Sequence, residues 1–516
     1  MSATRASGLL LHPTSLPGPH GSGDLGPDAH RWIDWLHDAG QRVWQVMPLG
    51  PTGYGDSPYQ CFSAFAGNPW LISLVRLQEQ GLLEADDLAG ANELGSDRID
   101  YGATIAFRAR ALDRAADRFE ASADADQRAD LDAFVRAHEA WLPDFALFMA
   151  LKEEHDGAPW NDWPAPLRDR DPDAVRDAGE RLVRGVRRHQ LRQYWFETQW
   201  QAVRAHATER GIELLGDLPI FVAYDSADVW SHRELFHLNE RGEPTVVAGV
   251  PPDYFSATGQ RWGNPLYRWD RMHEQDHAWW CRRLRATLRQ VDRVRIDHFR
   301  GFEAYWEIPA DEPTAERGRW VPGPGQALFD ALRRDLLAGN DGELPIVAED
   351  LGVITPEVEA LRDRNDLPGM RVLQFAFAGD ANDPYLPHRY VANAVVYTGT
   401  HDNDTTVGWY RTAPEAERDH VRRYLGRSDA DVPWALVRAA QASVADLAVV
   451  PLQDALGLDS EARMNVPGRP DGNWSWRFAW RDLPADLAGR LREVASLYGR
   501  LGTGGSVDTP YRQSCT

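Results

Sequence analysis

The chain is poor in cysteine, in long apolar runs and in lysine, and each shortage excludes something. Cys61, Cys281 and Cys515 are the only thiols, odd in number and far apart. Such spacing argues against a disulfide framework or a structural zinc site and fits a reducing cytoplasm. No apolar run approaches the roughly 20 residues that cross a bilayer. The first residues, MSATRASGLLLHPTSLPG, carry one Arg and an apolar stretch too short for a secretory signal. Lys152 is the only lysine, and the formal charge is -22. That balance repels a phosphate backbone, so nucleic-acid binding is not expected.

Aromatic residues, by contrast, are plentiful: 21 Trp, 15 Tyr and 17 Phe. Any one of them is explained by packing, but as a group they suit a protein that stacks the flat apolar faces of sugars. Eight short apolar runs end in polar, Gly-rich or Pro-rich residues, at 8–15, 42–50, 212–222, 293–299, 344–350, 370–377, 394–402 and 447–454. Helical periodicity fills most of the intervals, as in PDAHRWIDWLHDAG at 27–40. Strands alternating with helices predict an α/β protein with parallel strands, and eight units predict a (β/α)8 TIM barrel. The whole of 1–516 reads as one elaborated catalytic domain. Two connections are too long for simple crossovers: 68–210, mostly helical, between strands two and three, and 223–276, carrying an active-site loop, between strands three and four. The segment 249–270 within the second reads as irregular. After the eighth strand nothing predicts a C-terminal β-sandwich.

RVRIDHFRG, at 293–301, is the most informative stretch. Alternation at period two sends Arg295 and Asp297 to one side of the sheet. LPIVAEDLG then delivers Glu349 and Asp350, and AVVYTGTHDND delivers His401 and Asp402, each at the end of an apolar run. Barrel enzymes keep their reacting groups at such strand ends. Several carboxylates without a metal or nucleotide motif point to glycosidic bond cleavage. Asp297 is the candidate nucleophile, since the adjacent Arg295 guanidinium favours its ionised form. Glu349 follows a largely apolar strand, where desolvation raises a carboxyl toward what a general acid needs. Asp402 and His401 are placed to bond sugar hydroxyls in an oxocarbenium-like transition state.

Each signal has a plainer reading. Arg295 and Asp297 alone more often describe a structural ion pair, and a lone Glu349 often a helix cap. Asp217, in GDLPIFVAYDSADVW, also reads as a turn or cap residue. HDND hints at a metal loop but lacks the EF-hand spacing and glycine. GSGDLG at 21–26 matches a dinucleotide pattern, yet a Pro-containing stretch separates it from its strand and no ribose-binding acid follows. What raises the catalytic reading is three acidic strand ends in one chain. The loop GPTGYGDSPYQCFSAFAGNP at 50–69 adds Tyr54, Ser57 and Tyr59; GVPPDYFSATGQRWGNPLYRWD at 249–270 adds Tyr254, Phe255 and Trp262, read as a lid or sugar platform.

Taken in order, YGDSPYQCFSAFAGNP, GDLPIFVAYDSADVW, GVPPDYFSATGQRWGNPLYRWD, RIDHFRG, AEDLG, GTHDNDT and RMNVPGRPDGNW resemble the amylomaltases. These are 4-α-glucanotransferases, or disproportionating enzymes, of the α-amylase superfamily. The likeness runs from about Gly8 to Trp480. It implies Asp297 as nucleophile, Glu349 as acid/base and Asp402 as transition-state stabiliser. It further implies Arg295, His401, Asp217 and Tyr59 around the reacting glucose, Ser57 and Asn465 toward the donor, and His298, Tyr254, Phe255, Trp262 and Phe375 toward the acceptor. It implies no required metal or organic cofactor, with maltooligosaccharides and glucose as partners and no obligate protein partner. Cys61 stands where a Ser is common, and Ala378 where an acidic residue often follows the FAF run. An α-glucan hydrolase of the same superfamily is the nearest rival, told apart by reducing-end release. A non-catalytic glucan-binding protein is the rival from another class, and it would leave maltooligosaccharides intact.

Overall fold

The computed structural model describes residues 5–252, 256–337, 342–469 and 471–501. Its strands, in chain order, are β1 (Ala6–Leu10), β2 (Val43–Gln45), β3 (Glu213–Pro219), β4 (Val246–Val250), β5 (Gln260–Pro265), β6 (Arg293–Asp297), β7 (Ala304–Pro309), β8 (Arg319–Pro322), β9 (Ile346–Ala348), β10 (Gly369–Val372), β11 (Ala394–Tyr397) and β12 (Leu447–Pro451). Eight of these form a parallel sheet in the order β10-β11-β12-β1-β2-β3-β6-β9. The Ala348 N–H donates to the Pro368 carbonyl at 2.9 Å, which joins the two outer strands and closes the ring. Each of the eight barrel strands overlaps one of the eight apolar runs that the sequence singles out.

Alternate side chains point inward and meet on the axis: Leu10, Val43, Leu215, Val347, Met370, Val395 and Leu447 share one buried cluster. β6 places a charge there instead. Arg295 is buried, with its Nε 3.3 Å from the Met370 sulfur. A buried guanidinium needs carboxylate partners, and the neighbouring strand supplies one, since Asp217 of β3 pairs in register with Arg295.

Between β2 and β3 the chain forms a helical layer whose longer members are Tyr101–Ser122, Ala125–Ala137, Leu142–Glu154, Pro172–Arg181 and Val183–Glu209. Local chemistry starts three of them: Asp100, Asp124 and Asp171 each accept N–H groups of the first turn, and Pro172 opens its helix. Val183–Glu209 returns to the barrel. Gln193 grips Gly67 at both N–H and carbonyl, 2.7 and 2.8 Å, and the Trp200 indole donates to the Gln290 carbonyl at 2.8 Å. Lys152 adds a pair with Asp225 at 2.6 Å, joining this layer to the loop after β3.

One expectation is corrected. Residues 249–270 are not simply irregular, because β4 and β5 join β7 and β8 in an antiparallel sheet of order β5-β4-β7-β8. β4 pairs with nearby β5 on one side, but its partner on the other comes from 304–309, far along the chain, so local composition does not reveal the sheet. Gly249 lets the strands close up: a Cβ there would lie 2.2 Å from the Gln260 carbonyl oxygen and 2.6 Å from the Ile308 side chain. Among the described residues no strand follows β12, and no helix is long and apolar enough to cross a membrane.

Candidate active site

Arg295 is the hub. Its Nη1 donates to both carboxylate oxygens of Asp217, at 2.9 and 2.7 Å, and its Nη2 donates to Asp297 at 2.7 Å. Burial works against the guanidinium's charge, but Asp217 and Asp297 more than offset it and leave its pKa above the ordinary value. Asp217 is itself pushed up by burial, with Arg295 opposing. The Tyr59 hydroxyl completes this layer by donating to Asp217 at 2.8 Å. Asp297 ends β6 with its side chain 32% exposed, so it is paired on one side and open to the cleft on the other.

Glu349 stands beside it because β6 and β9 are neighbours. Ile296 pairs with Ala348, and the ladder runs on through the bonds Glu349 N–H to Ile296 O at 3.1 Å and Phe299 N–H to Glu349 O at 3.2 Å. Asp297 and Glu349 therefore leave adjacent strands, about 4.8 Å apart, one step past the last pair. The Glu349 carboxylate accepts from the N–H groups of His298 at 2.7 Å and Leu351 at 2.9 Å. Burial, then the charge of Asp297, push its pKa up to about 7 against Arg295 and those two donors. Two carboxyls thus differ in environment, one ion-paired and one pushed toward the neutral form, as acid and nucleophile roles require. Asp350 faces elsewhere: it accepts the Met370 N–H at 2.6 Å and pairs with Arg362 and Arg371, tying the loop to β10.

Asp402 arrives on the turn after β11. Its Oδ1 accepts from the Asn465 amide at 2.7 Å and its Oδ2 lies 3.2 Å from His401 Nε2. Partial burial pushes this carboxyl up, but His401, the Asn465 amide and Arg295 hold it well below the usual carboxylate range. For His401 the balance reverses: burial pulls it down and Asp402 lifts it above its ordinary value. The rest of HDND is spent on the turn. Asn403 Oδ1 accepts from Thr400 N–H and Oγ1 at 2.9 and 2.8 Å, and Asp404 accepts from Thr405 N–H and Ser460 Oγ at 2.8 Å.

A ring stack lines the same mouth. Tyr59 lies on His401 with centroids 5.1 Å apart and planes 18° apart, and Trp474 closes the group 6.0 Å from Tyr59 and 5.7 Å from His401. Sequence reasoning missed Trp474 as a site residue. Its backbone sits in the left-handed region, φ +59°, held by its N–H to the Met464 carbonyl at 2.7 Å, and a local pattern does not show that. His298 also has positive φ, +56°, which lets its N–H face Glu349 while its ring meets Trp262 edge-on at 4.8 Å. Burial lowers the His298 imidazole to about 4, so it is neutral around pH 7.

The other candidates are less central. Ser57 accepts the Tyr59 N–H at 3.2 Å and so supports that ring. Phe375 packs edge-on against Tyr385 at 5.5 Å. Tyr54 is 81% exposed and lies outside the carboxylate cluster's hydrogen bonds. Tyr254 and Phe255 lie outside the described residues. GSGDLG proves to be packing: Asp24 accepts the Gly26 N–H at 2.9 Å and pairs with buried Arg108 at 3.2 Å.

Comparison with known proteins points to one family. A family model described as 4-alpha-glucanotransferase matches residues 11–482. A 4-alpha-glucanotransferase of Thermus thermophilus is 55% identical over 97% of this chain and all of its own length. One of Synechocystis sp. is 52% identical over 96% of this chain and 98% of its own. Among solved structures, the amylomaltase of Streptococcus agalactiae in complex with acarbose superposes with a TM-score of 0.93 at 36% identity, covering 97% of this chain and all of that one.

Proposed function

The chain belongs to the 4-alpha-glucanotransferase family, and from that premise we propose that it moves α-1,4-glucan segments between maltooligosaccharides, or onto glucose, with retention of configuration. One observation carries the mechanism: Asp297 and Glu349 leave adjacent strands in contrasting environments. The Asp297 carboxylate attacks the anomeric carbon while the C1–O4 bond breaks, and Glu349 delivers its proton to the departing O4. A covalent glycosyl ester on Asp297 results. An acceptor 4-hydroxyl then gives its proton to Glu349, bonds to C1 and releases Asp297, so both carboxyls return to their starting states. Arg295 holds Asp297 and Asp217 in place, and Asp402, charged and braced by Asn465 and His401, bonds hydroxyls of the distorted sugar ring. The balance closes without metal or organic cofactor.

Tyr59 stands at the reacting glucose in this reading, with Ser57 and Asn465 toward the donor side. His298, Tyr254, Phe255, Trp262 and Phe375 serve the acceptor, and exposed Tyr54 offers a further stacking face. The inserts 68–210 and 223–276 wall the cleft of a single catalytic unit. A cytoplasmic setting is supported by Cys61 and Cys281, both free thiols.

The test is maltotriose alone, with products resolved by chromatography and Asp297→Asn as control. Longer maltooligosaccharides plus glucose, lost in the variant, are expected. Maltose and glucose without longer products would mean a hydrolase, and intact maltotriose a binding protein or another sugar.

A further inference from the structure

We infer that Trp320, backed by the Arg300 guanidinium, forms an outlying platform for an α-1,4-glucan chain beyond the reacting carboxylates. The inference rests on the glucan reading above and extends it to a surface that reading does not use. Trp320 lies on β8, the outer strand of the small sheet, and is 40% exposed. Its strand partner is Trp306, whose ring meets it edge-on at 5.2 Å and 67°. The Arg300 guanidinium lies 3.8 Å from the Trp320 ring centroid. One face of the indole is therefore occupied, and the remaining exposure belongs to its other face and rim.

Arg300 ties this indole to the chemistry. It is buried, and its Nη1 donates to the Val353 carbonyl. It comes three residues after Asp297, so their α-carbons are at most about 11 Å apart. Val353, itself 68% exposed, comes four residues after Glu349. The platform is thus fastened to both loops that present the carboxyls, and His298, two residues before Arg300, meets the Trp262 ring of β5. A tryptophan held by a guanidinium and a second indole loses little freedom when a flat apolar partner settles on it. An exposed aromatic beside a cleft that takes a polymer of glucose fits that polymer's continuation. Short sugars, held within the cleft, would end before reaching it.

Calorimetric titration of short-chain amylose and of maltotriose tests this, using Glu349→Gln to stop turnover, with and without Trp320→Ala. The amylose Kd is expected to rise about threefold to tenfold, the worth of one aromatic contact, and the maltotriose Kd by less than about twofold. Trp320→Phe, which keeps a stacking ring and the strand's packing, is expected to recover most of the amylose affinity. An unchanged amylose Kd, equal weakening of both sugars, or no recovery with Phe would overturn the platform. Wild-type enzyme that only hydrolyses maltotriose would sink the transfer reading but leave this comparison standing, so the two failures are distinguishable.

Discussion

At the scale of single residues, Glu349 concentrates the site's tension. A carboxyl pushed up to about 7 by burial and by Asp297 carries the proton that bond cleavage needs below that pH and loses it above. The pH profile of kcat/KM should therefore fall on its basic side near 7. The same shift costs stability, with a definite sign. A raised folded pKa means the folded state holds its proton where the unfolded state has released it, so stability declines as pH rises from the unfolded value toward 7. Glu349→Gln should lower kcat by about 10²–10⁴-fold. It should also unfold at a higher temperature than wild type at pH 8, on the order of 1 kcal/mol, with the difference shrinking at pH 5. Thermal unfolding at both pH values checks this. Asp297, Glu349 and Asp402 could be singled out in sequence because Asp297 ends β6 and the other two follow the apolar strands β9 and β11. Trp474 was not, because its position depends on a left-handed backbone and on rings from 59 and 401.

Among elements, the small antiparallel sheet matters most, since its β5 holds Trp262 against His298. Trp262 lies on β5 and packs against His298, whose N–H steadies Glu349. We expect Trp262→Ala to open the reacting centre to water and lower the ratio of transfer to hydrolysis several-fold. The count of glucose released against longer maltooligosaccharides formed reads it directly, and an unchanged ratio would mean that another element excludes water. The barrel strands were readable as elements because each overlaps a short apolar run, even β6, whose inward Arg295 is the exception. β4, β5, β7 and β8 were not, since their short, Gly- and Pro-bearing segments become strands only through one another.

For the whole molecule, one buried residue fastens the foot of the barrel where β1 and β12 begin. Arg500 is fully buried and donates to the carbonyls of Ala6, Ala440, Gln441, Ser443, Ala445 and Asp446, joining β1, the approach to β12 and a helix end. Burial pushes its pKa down to about 9, the mark of a cation satisfied by neutral oxygens. Arg500→Met would strand those carbonyls. It should cost about 3 kcal/mol or more while the protein still folded keeps its kcat, because this fastening lies at the opposite end from the carboxylates. Denaturant unfolding paired with activity per folded molecule separates the two effects.

What the sequence determined by itself is what local pattern encodes: eight parallel strands with crossover helices, a helical insertion, and carboxylates at strand ends, since burial period and strand termini are written within a few residues. Only the tertiary structure decided which carboxylates share a partner, that Arg295 spans Asp217 and Asp297, that Asn465 braces Asp402, and that two distant segments make one sheet. Those facts join segments tens of positions apart. Their energies arise from desolvation and close contact, which exist only once the ring has closed.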